Sequence, residues 1–176
     1  MSTTVKHERP GVYSSYETSS LTAAAAGGSK VAVVAKADGA DGETVYQWTS
    51  YSKAAADVGD CVLSQMAQLA IRNGAGTVYG VPAGEDYDAA FALAAALEDV
   101  AVVVCDSTDL TVQQALKTMV QECSGARRER IAVVGGMAGE SVSQLVERAA
   151  GLNCERVVLT APGMGDGSGG AMCAAA

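Results

Sequence analysis

Large rings are scarce in this chain: one Trp, one Phe and six Tyr make up 5% of 176 residues. Because apolar residues nevertheless reach 49%, the core must be filled mainly by Ala, Val and Leu, and is short of pocket-lining rings. The sole histidine, His7, lies near the N-terminus, where it is not easily held against a Ser or Cys, which argues against a histidine-based triad. Basic charge is also in short supply. Twelve Lys and Arg face twenty Asp and Glu, a net charge of −8, which argues against a nucleic-acid partner, since phosphate binding needs a basic surface that releases counterions. Arg127, Arg128 and Arg130 form the one compact basic cluster, interrupted by Glu129; it reads as a solvated loop or as a patch steering one subunit toward an acidic neighbour. Cys61, Cys105, Cys123, Cys154 and Cys173 are odd in number and widely spaced. They include no Cys-x-x-Cys pair, so no metal site is expected, and they read as reduced, mostly buried thiols of a cytoplasmic product. There is no cationic leader with an apolar core and no apolar run of about 20 residues, so membrane insertion is not expected.

What the chain does have begins with an unusual N-terminal stretch, Lys6 to Glu17. Pro10 biases Arg9 toward extended geometry, Gly11 permits a change of direction, and Val12, Ser14 and Tyr16 then alternate. Val12, Tyr13 and Tyr16 are too few to build a core and costly to leave in water, so the reading is an arm that adds as a strand to a neighbour's sheet, against the alternative of a frayed terminus. Leu21 to Ser29, ending in Gly27-Gly28-Ser29, has the composition of a hinge. The expected organisation is therefore an extended arm and hinge over 1–29 and one domain over 30–176, of a length that suits a single core.

Within the domain, strand and helix patterns alternate. Val31–Ala35, Val45–Thr49, Thr77–Val81, Val100–Cys105, Ile131–Val134 and Arg156–Thr160 are β-branched or continuously apolar. Val100–Cys105 should lie near the sheet centre, and Pro82 should end the strand before it. Between them, Val58, Val62, Met66 and Leu69 predict a helix from Asp57 to an Asn73-Gly74 cap. Asp86 caps a second, with Tyr87, Ala90, Phe91, Ala94 and Leu97 inward. Thr111 and Gln114 have capping-box spacing before Val112, Leu116, Met119, Val120 and Cys123; Ser141 and Gln144 repeat it before Val142, Leu145, Val146 and Ala149. The fold class is α/β, a mainly parallel sheet with helices on its faces, preceded by the arm.

Ligands of open α/β sheets bind beyond the carboxyl ends of the strands, which directs attention to Asp106, Ser107 and Asp109, to Gly135 and Gly136, and to Pro162–Gly170. Asp106–Asp109 suits helix capping more than a metal, and Asp38, Asp41 and Glu43 form a surface turn without calcium-loop spacing. Gly135-Gly136-Met137-Ala138-Gly139 could present amides to a phosphate or equally make a tight strand-to-helix passage. Gly165, Gly167 and Gly170 satisfy Gly-x-Gly-x-x-Gly after a strand, but no following strand or ribose-binding acid accompanies them and no Gly-Lys-Ser/Thr loop occurs. No cofactor is expected, and no carboxylate pair stands out as acid and base.

The phrase His7-Glu8-Arg9-Pro10-Gly11-Val12-Tyr13 resembles the opening of contractile phage tail sheath proteins and the sheaths of phage-tail-like bacteriocins. Thr49–Gly59, Asn73–Val81 and Glu155–Gly163 are similar to later stretches of the same family, in the same order. The resemblance implies a structural subunit without catalysis, polymerised in stacked rings around a tail tube. Arms are exchanged between copies as added strands, and the sheath shortens to drive the tube through a cell envelope. Arg9, Pro10, Gly11, Val12, Tyr13 and Tyr16 would then be interface residues and Gly27, Gly28 and Ser29 the hinge. The implied partners are other copies, the tube protein, and baseplate and tail terminator proteins, in a virion tail or tail-like particle assembled in the host cytoplasm. Family members continue to a C-terminal arm that this chain does not include, which implies a fragment, a split gene product or a degenerate copy. The rival readings are a small doubly wound nucleotide-binding protein or enzyme using 163–170, and a free-standing domain that binds one partner.

Overall fold

A computed structural model of the chain describes residues 29–161 and Ala175. The elements are β1 (Lys30–Lys36), β2 (Tyr46–Trp48), α1 (Tyr51–Val58), α2 (Val62–Arg72), β3 (Thr77–Ala83), α3 (Tyr87–Ala96), β4 (Val102–Cys105), α4 (Leu110–Gly125), β5 (Ile131–Gly135), α5 (Val142–Leu152) and β6 (Val157–Thr160). They form one six-stranded sheet in the order β2-β3-β1-β4-β5-β6. Only the β2–β3 pairing is antiparallel. The fold is thus α/β with a mainly parallel sheet, as the alternation of patterns implies.

Alternation along each strand builds two cores. Ala32 and Val34 of β1, Val103 and Cys105 of β4 and Ala132 and Val134 of β5 face α3, α4 and α5. Val31, Val33 and Ala35, with Val102 and Val104, face the side occupied by α1, α2 and Ala175. Strands that read as unbroken apolar runs are those buried on both sides. The second side is covered unequally: α2 contacts β1 and β3, whereas Val158 of β6 is 46% exposed.

Four local expectations are corrected. The helix expected from Asp57 is two helices, because Gly59 takes φ 75°, a left-handed conformation that ends α1 and that a side chain disfavours. Val62 consequently points outward, and Leu63, Met66, Ala67 and Ala70 make the buried face of α2. Pro82 does not stop its strand but pairs with Ala35 inside the ladder. Since β2 opposes only Val78–Gly80, β3 has one neighbour at Pro82 and tolerates a missing donor there. Helix α4 is capped by Asp109, whose carboxylate accepts from Thr111 N at 2.7 Å, not by a Thr111–Gln114 box; an Asp one residue before the helix outcompetes a Thr already inside it. Finally, Val142 and Val146 face outward, 78% and 62% exposed, while Leu152 and Arg148 make the buried line of α5. The Ser141–Gln144 box does form, as does the Asp86 cap of α3.

The single Trp48 is fully buried, stacks on Tyr46 with centroids 5.6 Å apart and donates to Asp57 Oδ2 at 2.8 Å. A Cβ at Gly80 would lie 2.1 Å from Cζ3 of its ring, so β3 carries glycine where the indole packs on it. Gly80→Val should destabilise the fold by about 1–3 kcal/mol through overpacking. Chemical denaturation followed by emission of the sole Trp should show a lower midpoint and a red-shifted native spectrum.

Candidate functional site

The chain moves from β1 outward to β3 and then crosses to β4 on the other side of β1, so the switch point lies between the carboxyl ends of β1 and β4. A doubly wound sheet opens there for a ligand. In this protein Asp106, directly after β4, occupies the position. Its Oδ2 accepts from Lys36 N at 3.0 Å and its Oδ1 from the Tyr87 phenol at 2.8 Å. The amide that a phosphate would seek is bonded to the protein's own carboxylate. Burial, reinforced by the charge of Asp106, pushes the Tyr87 phenol upward and holds it protonated. The same causes push the Cys105 thiol upward, so it is a packed thiol rather than a nucleophile.

The next strand end is closed by a charged network. Arg148 Nε lies 3.1 Å from both Glu140 oxygens, and its Nη1 donates to Thr108 O at 2.7 Å and Gln113 Oε1 at 3.2 Å. Gln113 Nε2 donates onward to Ser107 O at 3.0 Å and Gly135 O at 2.8 Å. Glu140 in turn accepts from Met137 N at 2.9 Å. The passage Gly135-Gly136 is therefore tight for a packing reason: a Cβ on Gly136 would meet Leu145 Cδ2 at 2.6 Å and Glu140 Oε2 at 3.0 Å. Its backbone groups bond within the protein, with Gly136 N donating to Thr160 O at 3.1 Å. At Gly136 and Met137 the passage is the tight strand-to-helix one, with both amides bonded within the protein.

Other candidate residues resolve in the same way. Asp109 caps the start of α4, and Ser107 Oγ accepts from Asp109 N at 3.2 Å in the turn before it. Asp41 accepts from Glu43 N at 3.0 Å and Thr44 Oγ1 at 2.8 Å, an Asx-type turn. Among the described residues no group of three or more His, Cys, Asp and Glu is arranged to hold a metal ion, and no helix is long and apolar enough to cross a membrane.

The basic cluster is not a steering patch. Arg130 is 2% exposed and donates to Ala94 O at 3.0 Å and Leu97 O at 2.7 Å, and Arg128 donates to Ala95 O. Two of the three guanidiniums thus cap the carbonyls at the C-terminus of α3, where a cation also complements the helix dipole.

Ser29 stands at the amino end of β1, its carbonyl accepting from Gly76 N at 3.2 Å, and it lines a hollow of about 160 Å³ with Ala175, Val31 and Val102. The remaining arm, hinge and glycine-rich candidates (Arg9, Pro10, Gly11, Val12, Tyr13, Tyr16, Gly27, Gly28, Gly165, Gly167 and Gly170) lie outside the described residues. The sequence reading missed Gln113, Glu140, Arg148 and the Tyr87–Asp106 bond. The one available signal was the spacing Leu145-Arg148-Leu152, which places an arginine on an otherwise apolar face and demands a buried partner.

No family model matches the sequence, and no curated protein matches it. Among solved structures, the chain is similar to the helical sheath of the anti-feeding prophage in its contracted state, determined by cryo-EM. The TM-score is 0.54 and the identity 16%, over 85% of this chain and 44% of that one. The fold is sheath-like, and the chain spans less than half the length of the sheath subunit it matches.

Removing one member of the Arg148 network should be costly. Arg148→Met leaves Glu140, Thr108 O and Gln113 without their donor and should destabilise by about 3–5 kcal/mol; Arg148→Lys, which cannot fork, should recover only part of it in denaturant titrations. The Arg148 hydrogen bond holds the Glu140 carboxyl below its ordinary value against the effect of burial. Its contribution is complete above the ordinary glutamate range, about pH 4–5, and disappears as pH falls through the lowered value. Thermal midpoints should therefore drop on acidification below about pH 4, and Glu140→Gln should be less stable at neutral pH with a flatter acid limb.

Proposed function

We propose that this protein is a structural subunit of a contractile tail sheath, not an enzyme. The observation that carries the reading is the sheath-like fold over most of the chain, reached independently of the Glu8-Arg9-Pro10-Gly11 phrase and its ordered companions. The chemistry at the strand ends supports it: the groups that could meet a substrate at the β1–β4 crevice bond one another instead. In this proposal residues 1–29 are the arm and hinge, and the domain from residue 30 is the body of the subunit. The arm adds as a strand to another copy, tying neighbours by main-chain hydrogen bonds while the domains reorient. Its partners are other copies in stacked rings, the tube protein, and the baseplate and terminator at the ends. Its place is a virion tail or tail-like particle assembled in the host cytoplasm.

Electron microscopy of the purified chain, alone and with a tube protein, tests the reading. Rings or helical sleeves are expected, and deleting Ser2–Ser20 should leave the circular dichroism spectrum and thermal midpoint unchanged while reducing assembly. Unchanged assembly of the deletion would remove the arm from the account. Saturable nucleotide binding that Gly165→Val abolishes would overturn the proposal in favour of a nucleotide-binding protein.

A further inference from the structure

The face of the sheet opposite α5 loses its cover step by step from β1 to β6. Paired residues of neighbouring strands, and residues two apart along one strand, share a face, so two apolar rows run across it. One is Val33, Val104, Val133 and Val158; the other is Val31, Val102 and Ile131. Along the first row Val33 and Val104 are buried, Val133 is half-buried and Val158 is 46% exposed. Along the second Val31 is buried, Val102 is half-buried and Ile131 is 38% exposed. The two helices on this side account for the buried end, since α1 lies over β2 and α2 over β1 and β3. The apolar residues of β5 and β6 lie beyond their reach.

Ala175 identifies the occupant. It is helical, 5% exposed, and belongs to the core cluster of this face with Val31 and Val104. With Val31 and Val102 it lines the hollow beside Ser29, Asn73 and Ala75, at the amino ends of the strands. The chain leaves β6 after Thr160, at the carboxyl ends of the strands and two strands away from β4, so between Ala161 and Ala175 it travels from one corner of this half of the sheet to the opposite one. Two strand spacings and the length of the four-residue β6 make a diagonal of about 16 Å, and residues 162–174 reach about 45 Å when extended. The direct line passes over Val158 and Val133. The stretch is rich in glycine, carries the single charge of Asp166, and has Met164 and Met172 as its large apolar side chains. Met172 precedes Ala175 by three residues, the spacing that puts two side chains on one face of a helix.

We infer that the uncovered half of this face, Val133, Val158 and Ile131, is the docking site of the chain's own segment 162–176, anchored by Ala175. The glycine-rich stretch is then a passage across the sheet rather than a phosphate loop. The inference is independent of the sheath reading and needs no second copy. Hydrogen exchange of the full chain, read by mass spectrometry, tests it together with Val158→Thr, which keeps the branched shape and strand preference but adds a hydroxyl. Amides of 171–176 should exchange at least about tenfold more slowly than in a free peptide of the same sequence. Val158→Thr should lower the thermal midpoint by about 2–4 °C, because a covered hydroxyl lacks a partner, and should speed exchange of those amides. A valine left in water accepts Thr without either change. Met172→Ala should produce the same two effects, and the double variant should fall short of their sum, as expected of residues in contact. If 171–176 exchanges at the free-peptide rate, or if Val158→Thr changes neither midpoint nor exchange, the inference falls. A lower midpoint without faster exchange at 171–176 assigns the cover to another surface and overturns it too. A drop that vanishes on dilution assigns the cover to a second copy, with the same consequence.

Discussion

A parallel sheet covered on both faces leaves no room for a charge along its strands, so the charges that hold this fold together are displaced to the strand ends. Residues 31–35 of β1 are all buried, and the neighbouring strands repeat the pattern with Val, Ala and Cys. Beyond the carboxyl ends stand Asp106, Glu140 and Arg148; near the amino end of β5 stand Arg128 and Arg130. Each bonds groups from a different segment: Asp106 reaches Lys36 and Tyr87, Arg148 reaches Thr108 and Gln113, and Arg130 reaches the last carbonyls of α3. Apolar packing sets the layers, and these polar staples fix how one βα unit follows the next.

The same displacement explains why, among the described residues, backbone amides at the carboxyl ends of the strands are bonded to the protein's own carboxylates. Doubly wound folds that bind phosphates leave backbone amides free at the switch point. Lys36 N and Met137 N, the amides in the corresponding places, bond to Asp106 and Glu140. An anion arriving there would have to displace a carboxylate of the protein and separate it from a second donor, Tyr87 or Arg148.

How much of this was legible follows from the range of each interaction. The order of strands and helices was readable because apolar periodicity is local, and the caps at Asp86 and Ser141 because they join residues two or three apart. The staples were not, because they join residues 19 to 70 apart and leave no mark on a short window beyond an oddly placed polar residue. The basic cluster misled for the same reason: Arg127-Arg128-Glu129-Arg130 looks solvated until α3, some 30 residues earlier, delivers its carbonyls to two of the guanidiniums. The inward stripe expected on α5 was misread because both of its faces carry apolar residues. Leu145 and Leu152 flank Arg148 on one side, and Val142 and Val146 line the other.

That double-sided character of α5 separates what holds the helix to the sheet from what it presents to water. A helix needs one apolar face to pack on its sheet, and the network around Arg148 supplies much of what holds α5 there, so the valines opposite are not required for folding. Placing them in water costs transfer free energy that nothing within the described domain recovers. Arg156 pairs with Glu129, tying the segment before β6 to the segment before β5, and Arg148 pairs with Glu140. These ion pairs order the last βα unit.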